Sequence, residues 1–306
     1  MTSDFVRKLA TVAVSFISNA IVVNMFLTLA WLFTPIDGWD PVLKLKALLR
    51  FLHIAPNPDN VIMVFTALLL LVPILVYRLE YVQRAVLWLM GAHPAEGQEK
   101  FWIESAFSLV CEKSGTAVGD YKLYVIERNV LNAFAFGRNY IAVSRPLLQT
   151  LSKERLAGVL AHEMGHLKHG DTQMLTLTYC MQNVGLLALK ILNGVIAVCG
   201  WVTKIPYVGF AAAILSWMLF LVVVVMEFLV SLPANLVMLF FSRQDEYAAD
   251  RYACELGLGN QLHEGLEQIS DGEEKMSWSQ RLLSTHPDTE NRLKRIDDYL
   301  DQKRPE

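Results

Sequence analysis

The chain has 306 residues with a formal net charge of −3, and 54% of its residues are hydrophobic. Its mean hydropathy of +0.34 is too high for an ordinary soluble domain and favours an integral membrane protein. The small negative net charge argues against a nucleic-acid partner, which would require a basic surface. The four cysteines are scattered and two lie in apolar stretches, which argues against a disulfide framework and a cysteine zinc site.

Apolar stretches long enough to cross a bilayer predict four transmembrane spans. The first two cover about residues 9–33 and 61–77, and the last two form a hairpin within residues 172–242. The first stretch is uncharged throughout and too long for the apolar part of a cleaved signal peptide. Residues 1–90 are therefore predicted to hold two transmembrane helices joined by an extracytoplasmic loop.

An even number of spans places both termini, residues 91–171 and residues 243–306 on one side of the membrane. Under the positive-inside rule, the basic residues that flank the spans on this side favour the cytoplasm. They are Arg7, Lys8, Arg78, Arg84 and Arg243. On the other side, leucines at helical spacing predict a helix lying in the membrane interface. These are Leu45, Leu48, Leu49 and Leu52.

Each of the two spans of the hairpin carries one charge, Lys190 in residues 172–203 and Glu227 in residues 205–242. An isolated charge at the bilayer centre costs about 2.5–3.5 kcal/mol, and the two residues lie at similar helical depths. Their positions predict a structural ion pair between the third and fourth spans. The alternative is a polar groove that admits membrane-embedded substrate.

Between the two pairs of spans, residues 98–114 are predicted to form a helix, preceded by a short linker at residues 91–97. Three apolar runs rich in β-branched and aromatic residues follow, at residues 121–127, 131–136 and 140–144. With turn residues between them, these runs predict a small antiparallel sheet. After residue 243 the chain is predicted to form several helices with polar connections.

His162, Glu163 and His166 form an H-E-x-x-H pattern in a helical run that Ser152 is placed to cap and that ends near Gly170. On a helix, positions i and i+4 lie one turn apart on one face, so the two imidazoles can bind one metal ion. Glu163 then lies beside the open coordination position, where a general base is needed. The pattern also occurs by chance, so it requires partner residues.

A catalytic zinc site has three protein ligands and a water. Other histidines and acidic residues are candidates for the third ligand, and Glu246 is the best of them. Glu246 and Asp250 stand at i and i+4, so one carboxylate can bind metal while the other accepts the N–H of a ligand histidine. Such carboxylate pairs are also common on solvated helices.

The motif AHEMGHLKHGD, followed by a membrane hairpin and then by SRQDEYAAD, resembles the HtpX-type membrane zinc metalloproteases, relatives of the CAAX prenyl proteases. Two more segments match in the same order, NAFAFG upstream and HPDTENRLKRI downstream. The resemblance covers about residues 98–301. It implies a mainly α-helical integral membrane protein with four spans and a zincin-like (gluzincin) α+β catalytic domain, divided between residues 91–171 and 243–306.

By this resemblance His162, His166 and Glu246 would bind one Zn²⁺ per chain, with Glu163 as the catalytic base and Asp250 as a partner of a ligand histidine. The strand Asn132, Ala133, Phe134 and Ala135 would bind extended substrate, the alternative being an ordinary buried strand.

His286 is predicted to stabilise the reaction oxyanion or to act as a fourth ligand that latches the enzyme shut. Arg292 is predicted to orient the His286 segment or to contact the oxyanion. The alternative for the His-Pro segment is a helix-capping role.

The resulting prediction is a multi-pass zinc endopeptidase of the bacterial inner membrane, with its site and both termini in the cytoplasm. By resemblance its substrates would be misfolded or damaged membrane proteins in a stress-linked quality-control role, with the bilayer and quality-control proteins as partners. Two alternatives are a processing peptidase for one maturing substrate and a non-catalytic membrane adaptor with a structural zinc site. Glu163 argues against the adaptor, because a structural site has no use for a base.

Overall fold

Helices dominate the structure, a computed structural model that describes residues 3–33, 40–228, 232–274 and 289–302. The chain divides into two units, residues 1–77 with 176–239 and residues 78–175 with 240–306. Among the described residues, four helices are long and apolar enough to cross a membrane. Their apolar spans are Phe5–Trp31, Pro58–Tyr77, Asp171–Val202 and Gly209–Met226. The predicted four spans are therefore confirmed.

The first unit begins with three helices, which precede the point where the chain enters the second unit. These are α1 (Ser3–Phe33), α2 (Asp40–Phe51) and α3 (Pro58–Tyr77). Helix α2 is the predicted helix between the first two spans, and its buried face consists of Val42, Leu45 and Leu49 packed on Val61. Leu48 and Leu52, which the prediction placed on the same face, are about half exposed, at 50% and 53%.

The rest of the first unit comes from α8 (Asp171–Val202), α9 (Gly209–Met226) and the beginning of α10 (Leu232–Glu255). Within the predicted fourth span, α9 ends at Met226 and α10 begins at Leu232, and residues 229–231 lie outside the described residues. The predicted ion pair is wrong: within the described residues Lys190 and Glu227 are both exposed and are not paired with each other. On α8 the buried face is formed by Ala188, Leu189 and Leu192, so Lys190 is rotated away from the helix interface.

The second unit is built around a four-stranded sheet. Its strands are β1 (Ala92–Pro94), β2 (Lys122–Ile126), β3 (Ala133–Phe136) and β4 (Tyr140–Ser144), in the order β1-β2-β4-β3. The predicted antiparallel sheet needs correction, since β2 and β4 pair in parallel and the sheet is mixed. After β2 the chain continues to β3 at the edge of the sheet. It then turns back through a hairpin into β4, which lies between β2 and β3. The predicted linker at residues 91–97 contains β1, which pairs with β2.

Helices pack on this sheet and on each other to form the core of the second unit. They are α4 (Glu80–Leu89), α5 (Gly97–Ser114), α6 (Arg145–Thr150), α7 (Lys153–His169), α11 (Gly259–Glu274) and α12 (Thr289–Gln302). A short 3₁₀ turn, Val118–Asp120, precedes β2. The core joins side chains of α5, β4, α7, α11 and α12, for example Phe107, Ile141, Leu160, Leu262 and Ile296.

Helix α7 lies at the centre of this core. Its N-cap is Ser152, whose hydroxyl accepts the Arg155 N–H, and its C-cap is Gly170 in the left-handed region (φ 75°). Both helix ends agree with the sequence prediction. Every residue from 156 to 167 is buried, which requires close helix neighbours on all sides. Gly158 allows this contact, because a Cβ there would lie 2.3 Å from the backbone nitrogen of Leu262 on α11.

Candidate metal centre and active site

His162 and His166 lie one turn apart on α7 and are buried, with 2% and 7% of their surfaces exposed. Their ring centroids are 4.7 Å apart and their Nε2 atoms are 3.2 Å apart. Two imidazole nitrogens that converge at this distance within a protein interior point to a shared ligand between them.

Helix α10 brings Glu246 to the same point. Its Oε2 lies 3.4 Å from Nε2 of His162, and its Oε1 lies 3.5 Å from Nε2 of His166. The approach depends on Gly165, because a Cβ at this position would stand 3.0 Å from the Cα of Ala249. The small residue inside the H-E-x-x-H pattern thus allows the third candidate ligand to reach the two histidines.

The spacing of these donors fits a tetrahedral zinc ion. Two donors at 2.0–2.1 Å from such an ion are about 3.3 Å apart. Here the two Nε2 atoms are 3.2 Å apart, and each lies 3.4 or 3.5 Å from a different oxygen of the Glu246 carboxylate. Within the described part of the chain, His162, His166 and Glu246 are the one group of residues with this capacity to hold a metal ion.

Both histidines are oriented by carboxylates at their other ring nitrogen. Nδ1 of His162 lies 2.8 Å from Asp250 Oδ1, and Nδ1 of His166 lies 2.9 Å from Asp171 Oδ2. These contacts turn Nε2 of each ring toward the candidate metal position. Sequence reasoning identified Asp250 and missed Asp171. The available signal was that Asp171 directly follows the helix end at Gly170, five positions after His166.

Arg292 of α12 is 1% exposed and contacts two acidic side chains of this centre. Its Nε and Nη2 donate to the two carboxylate oxygens of Asp250 at 2.9 and 2.6 Å. Its Nη1 lies 3.2 Å from Glu246 Oε2. These contacts favour a role in positioning the two carboxylates rather than direct contact with a reaction oxyanion.

Burial and charge shift the pKa values of this cluster in opposite senses. Burial lowers the pKa of His166, but the carboxylates of Asp171 and Glu246 outweigh it and raise this pKa to about 10. Burial raises the pKa of Asp250, yet Arg292 and His162 hold it well below its usual range. Burial lowers the pKa of Arg292, but the carboxylates of Asp250 and Glu246 outweigh it and raise this pKa above its usual value.

Glu163 is 1% exposed and faces β3. Its Oε2 accepts the backbone N–H of Ala135 at 2.7 Å. A buried carboxylate next to the three donors, with an oxygen already held by a backbone donor, is in a fixed position from which to accept a proton.

β3 is the edge strand of the described sheet, and its hydrogen bonds show which backbone groups face outward. The N–H of Ser144 donates to the carbonyl of Asn132 at 2.8 Å. Because residues of an antiparallel pair alternate in direction, Phe134 also faces β4, while Ala133 and Ala135 direct their N–H and C=O groups to the free edge. The bond from Ala135 to Glu163 has this outward direction.

The other histidines of the second unit are not among the three candidate ligands. His286 lies outside the described residues. His169 ends α7 and packs edge-on against Tyr252. His93 lies on β1 beside Glu127, and His263 lies on α11 beside Asp297.

The chain is similar in sequence to known peptidases. The family model of peptidase family M48 matches residues 97–300. A protein named Protease HtpX homolog from Acidiphilium cryptum (strain JF-5) is 33% identical over 180 residues, 56% of this chain and 57% of that protein. Protease HtpX from Shewanella frigidimarina (strain NCIMB 400) is 30% identical over 186 residues, 59% of this chain and 62% of that protein. The chain thus matches less than two thirds of the length of these two relatives.

Among solved structures, the crystal structure of S. mikatae Ste24p is similar with a TM-score of 0.50. The similarity covers 91% of this chain and 66% of that chain, at 18% sequence identity. At this identity the likeness concerns the fold alone.

Proposed function

We propose that this chain, which belongs to peptidase family M48, is a zinc-dependent endopeptidase that cuts peptide bonds of membrane proteins. The observation that carries the proposal is the donor geometry of His162, His166 and Glu246, with separations of 3.2–3.5 Å. Two carboxylates orient the histidines, and a buried carboxylate lies beside them. A structural site would need the ligands but would have no use for this last group.

His162, His166 and Glu246 would hold the zinc ion, which when bound polarises the scissile carbonyl and lowers the pKa of water. Glu163 accepts a proton from the attacking water while the oxygen of this water bonds to the carbonyl carbon. The same carboxyl then gives the proton to the leaving nitrogen as the C–N bond breaks, which yields a carboxylate and an amine. Asp250, Asp171 and Arg292 keep the ligands in place during these steps.

Extended substrate would pair with the free edge of β3 by β-augmentation. The outward groups of Ala133 and Ala135 supply the hydrogen bonds, and the side chains of Asn132 and Phe134 flank them. The Ala135 N–H is already engaged by Glu163 at 2.7 Å, so a substrate backbone would pair with the outward groups of Ala133, a residue that is buried in this structure, and with the Ala135 carbonyl. His286 would stabilise the oxyanion or latch the site.

The setting of this activity would be the bacterial inner membrane, with the four spans in the bilayer and the second unit and both termini in the cytoplasm. Residues 91–171 and 243–306 would form the catalytic domain, and the hairpin of residues 172–242 would separate its two parts. Misfolded or damaged membrane proteins are the proposed substrates. The names of the two relatives support a protease, and the choice of substrate and membrane rests on the family resemblance of the motifs.

Replacing Glu163 by Gln tests the proposal, with Glu154→Gln as the matched control, since Glu154 is exposed on the same helix. Both variants should bind one zinc per chain, measured by metal analysis of the purified protein in detergent. Glu163→Gln should lose about 10²–10⁴-fold in cleavage rate, while Glu154→Gln and the wild type should cut casein and membrane extracts until a chelator is added. Cleavage of many proteins would favour quality control, and cleavage of one would favour a processing peptidase. Equal inactivity of wild type and Glu163→Gln despite bound zinc would refute the peptidase and favour the adaptor.

A further inference from the structure

Helix α4 carries two apolar faces, and the core uses one of them. Leu87 is fully buried in a cluster with the sheet residues Tyr124 and Tyr140. On the opposite face, Tyr81, Trp88 and Leu89 are 84%, 74% and 75% exposed. Their spacing of seven and eight residues places the three side chains along one stripe of the helix. Large apolar side chains grouped in this way mark a surface that another apolar phase covers.

The position of α4 in the chain identifies this phase. Helix α3, a span long and apolar enough to cross a membrane, ends at Tyr77 and α4 begins at Glu80. The connection can extend only about 10 Å, so α4 begins within the polar layer next to the end of the span. Leu79 in this connection is also exposed (55%).

The residue types of the stripe match the chemistry of a membrane interface. Tyr and Trp are enriched where hydrocarbon meets headgroups, because their rings are apolar with a polar edge. Two cations lie next to the stripe. Arg78 precedes α4, and Arg84 lies on α4, where it is paired with Glu80. Such cations interact favourably with lipid phosphates.

We propose that α4 lies in the interfacial layer of the lipid bilayer, with Tyr81, Trp88 and Leu89 inserted among the lipids and Arg78 and Arg84 at the phosphates. This inference goes beyond the proposed peptidase activity and does not depend on it. The partner is a lipid surface.

The contacts of α4 give this anchoring a structural consequence within the second unit. The side chain of Gln83 lies directly against Gly137, in the turn between β3 and β4. Lys122 at the start of β2 is paired with Glu80. A helix held at the lipid surface therefore also holds the sheet, including the edge strand β3.

Photo-crosslinking of the full-length protein in liposomes of phosphatidylcholine and phosphatidylglycerol tests the proposal. Benzoylphenylalanine is placed at Trp88, at Leu75 as a lipid-facing control, and at Glu267, which is exposed on α11. We expect lipid adducts, detected by mass spectrometry, at positions 88 and 75 and none at 267. A lipid adduct at 75 without one at 88 would overturn the proposal. Crosslinking of position 88 to a second copy of the chain would also overturn it, since this would identify the stripe as a protein interface.

Discussion

Replacement of Arg292 by Gln should weaken both the fold of the second unit and its metal affinity. The guanidinium makes two bonds to Asp250, at 2.9 and 2.6 Å, and lies 3.2 Å from Glu246. Asp250 and Glu246 are 4% and 5% exposed, so the loss of Arg292 leaves buried negative charge without its counter-ion. Breaking a buried ion pair in this way costs about 3–5 kcal/mol. The expected lowering of the unfolding midpoint is about 6–20 °C.

The second expected consequence of this replacement is a lower affinity for the metal. Asp250 orients His162 through Nδ1 at 2.8 Å, and loss of such an orienting partner reduces metal affinity about 10–100-fold. Arg292→Lys should give an intermediate result, because it keeps the charge and loses the two-pronged geometry.

Two measurements on detergent-solubilised protein check these values: thermal unfolding in the presence of chelator, and zinc affinity by competition with a chromogenic chelator. Arg295→Gln is the matched control, because Arg295 lies on the same helix but is exposed and stacks on Tyr247. The double variant Arg292→Gln with Asp250→Asn should unfold at a higher temperature than the sum of the single effects predicts, since the unpaired charge is gone. Wild-type stability and wild-type zinc affinity in Arg292→Gln would refute the reasoning.

Three further variants test the remaining contacts. Asp171→Asn should weaken zinc binding about 10–100-fold by releasing the Nδ1 of His166, measured by the same chelator competition; an unchanged affinity would show that this contact does not orient the ligand. Ala135→Pro removes the N–H that holds Glu163 and, because this group points away from β4, should leave the strand pairing intact. It should lower kcat without loss of zinc, whereas Ala133→Pro, on the same edge, should mainly raise KM. Equal kinetic effects of the two prolines would contradict the assignment of the Ala135 N–H to Glu163.

Much of the site was predictable because it depends on local spacing. His162 and His166 lie on one helical face whatever residues stand between them. Ser152 and Gly170 mark the ends of that helix by their capping chemistry. Glu246 and Asp250 were also found by i, i+4 spacing, with the family resemblance connecting them to the histidines across a hairpin. These predictions require only that the segments be helical.

The sheet and the ion pair show where such reasoning ends. Alternation of apolar residues predicted strands for residues 121–127 and 140–144, but it does not specify which strand lies beside which. The parallel pairing of β2 with β4 depends on the path of the chain between β2 and β3. Lys190 and Glu227 were matched for depth, yet depth does not determine the rotation of a helix about its axis.

The sequence alone predicted the four apolar spans and the helix that carries the two histidines, because hydrophobic length and helical periodicity are properties of the chain itself; the family resemblance connected the third candidate ligand, Glu246, to them. Only the tertiary structure decided how the charges of the centre are balanced. Asp171 reaches His166 across a helix end, and Arg292 joins Asp250 and Glu246 from α12, more than forty positions away. The contact between α7 and α10 at Gly165 and the hydrogen bond from Ala135 to Glu163 likewise depend on packing. Such contacts follow from close packing in three dimensions, which no local pattern of residues encodes.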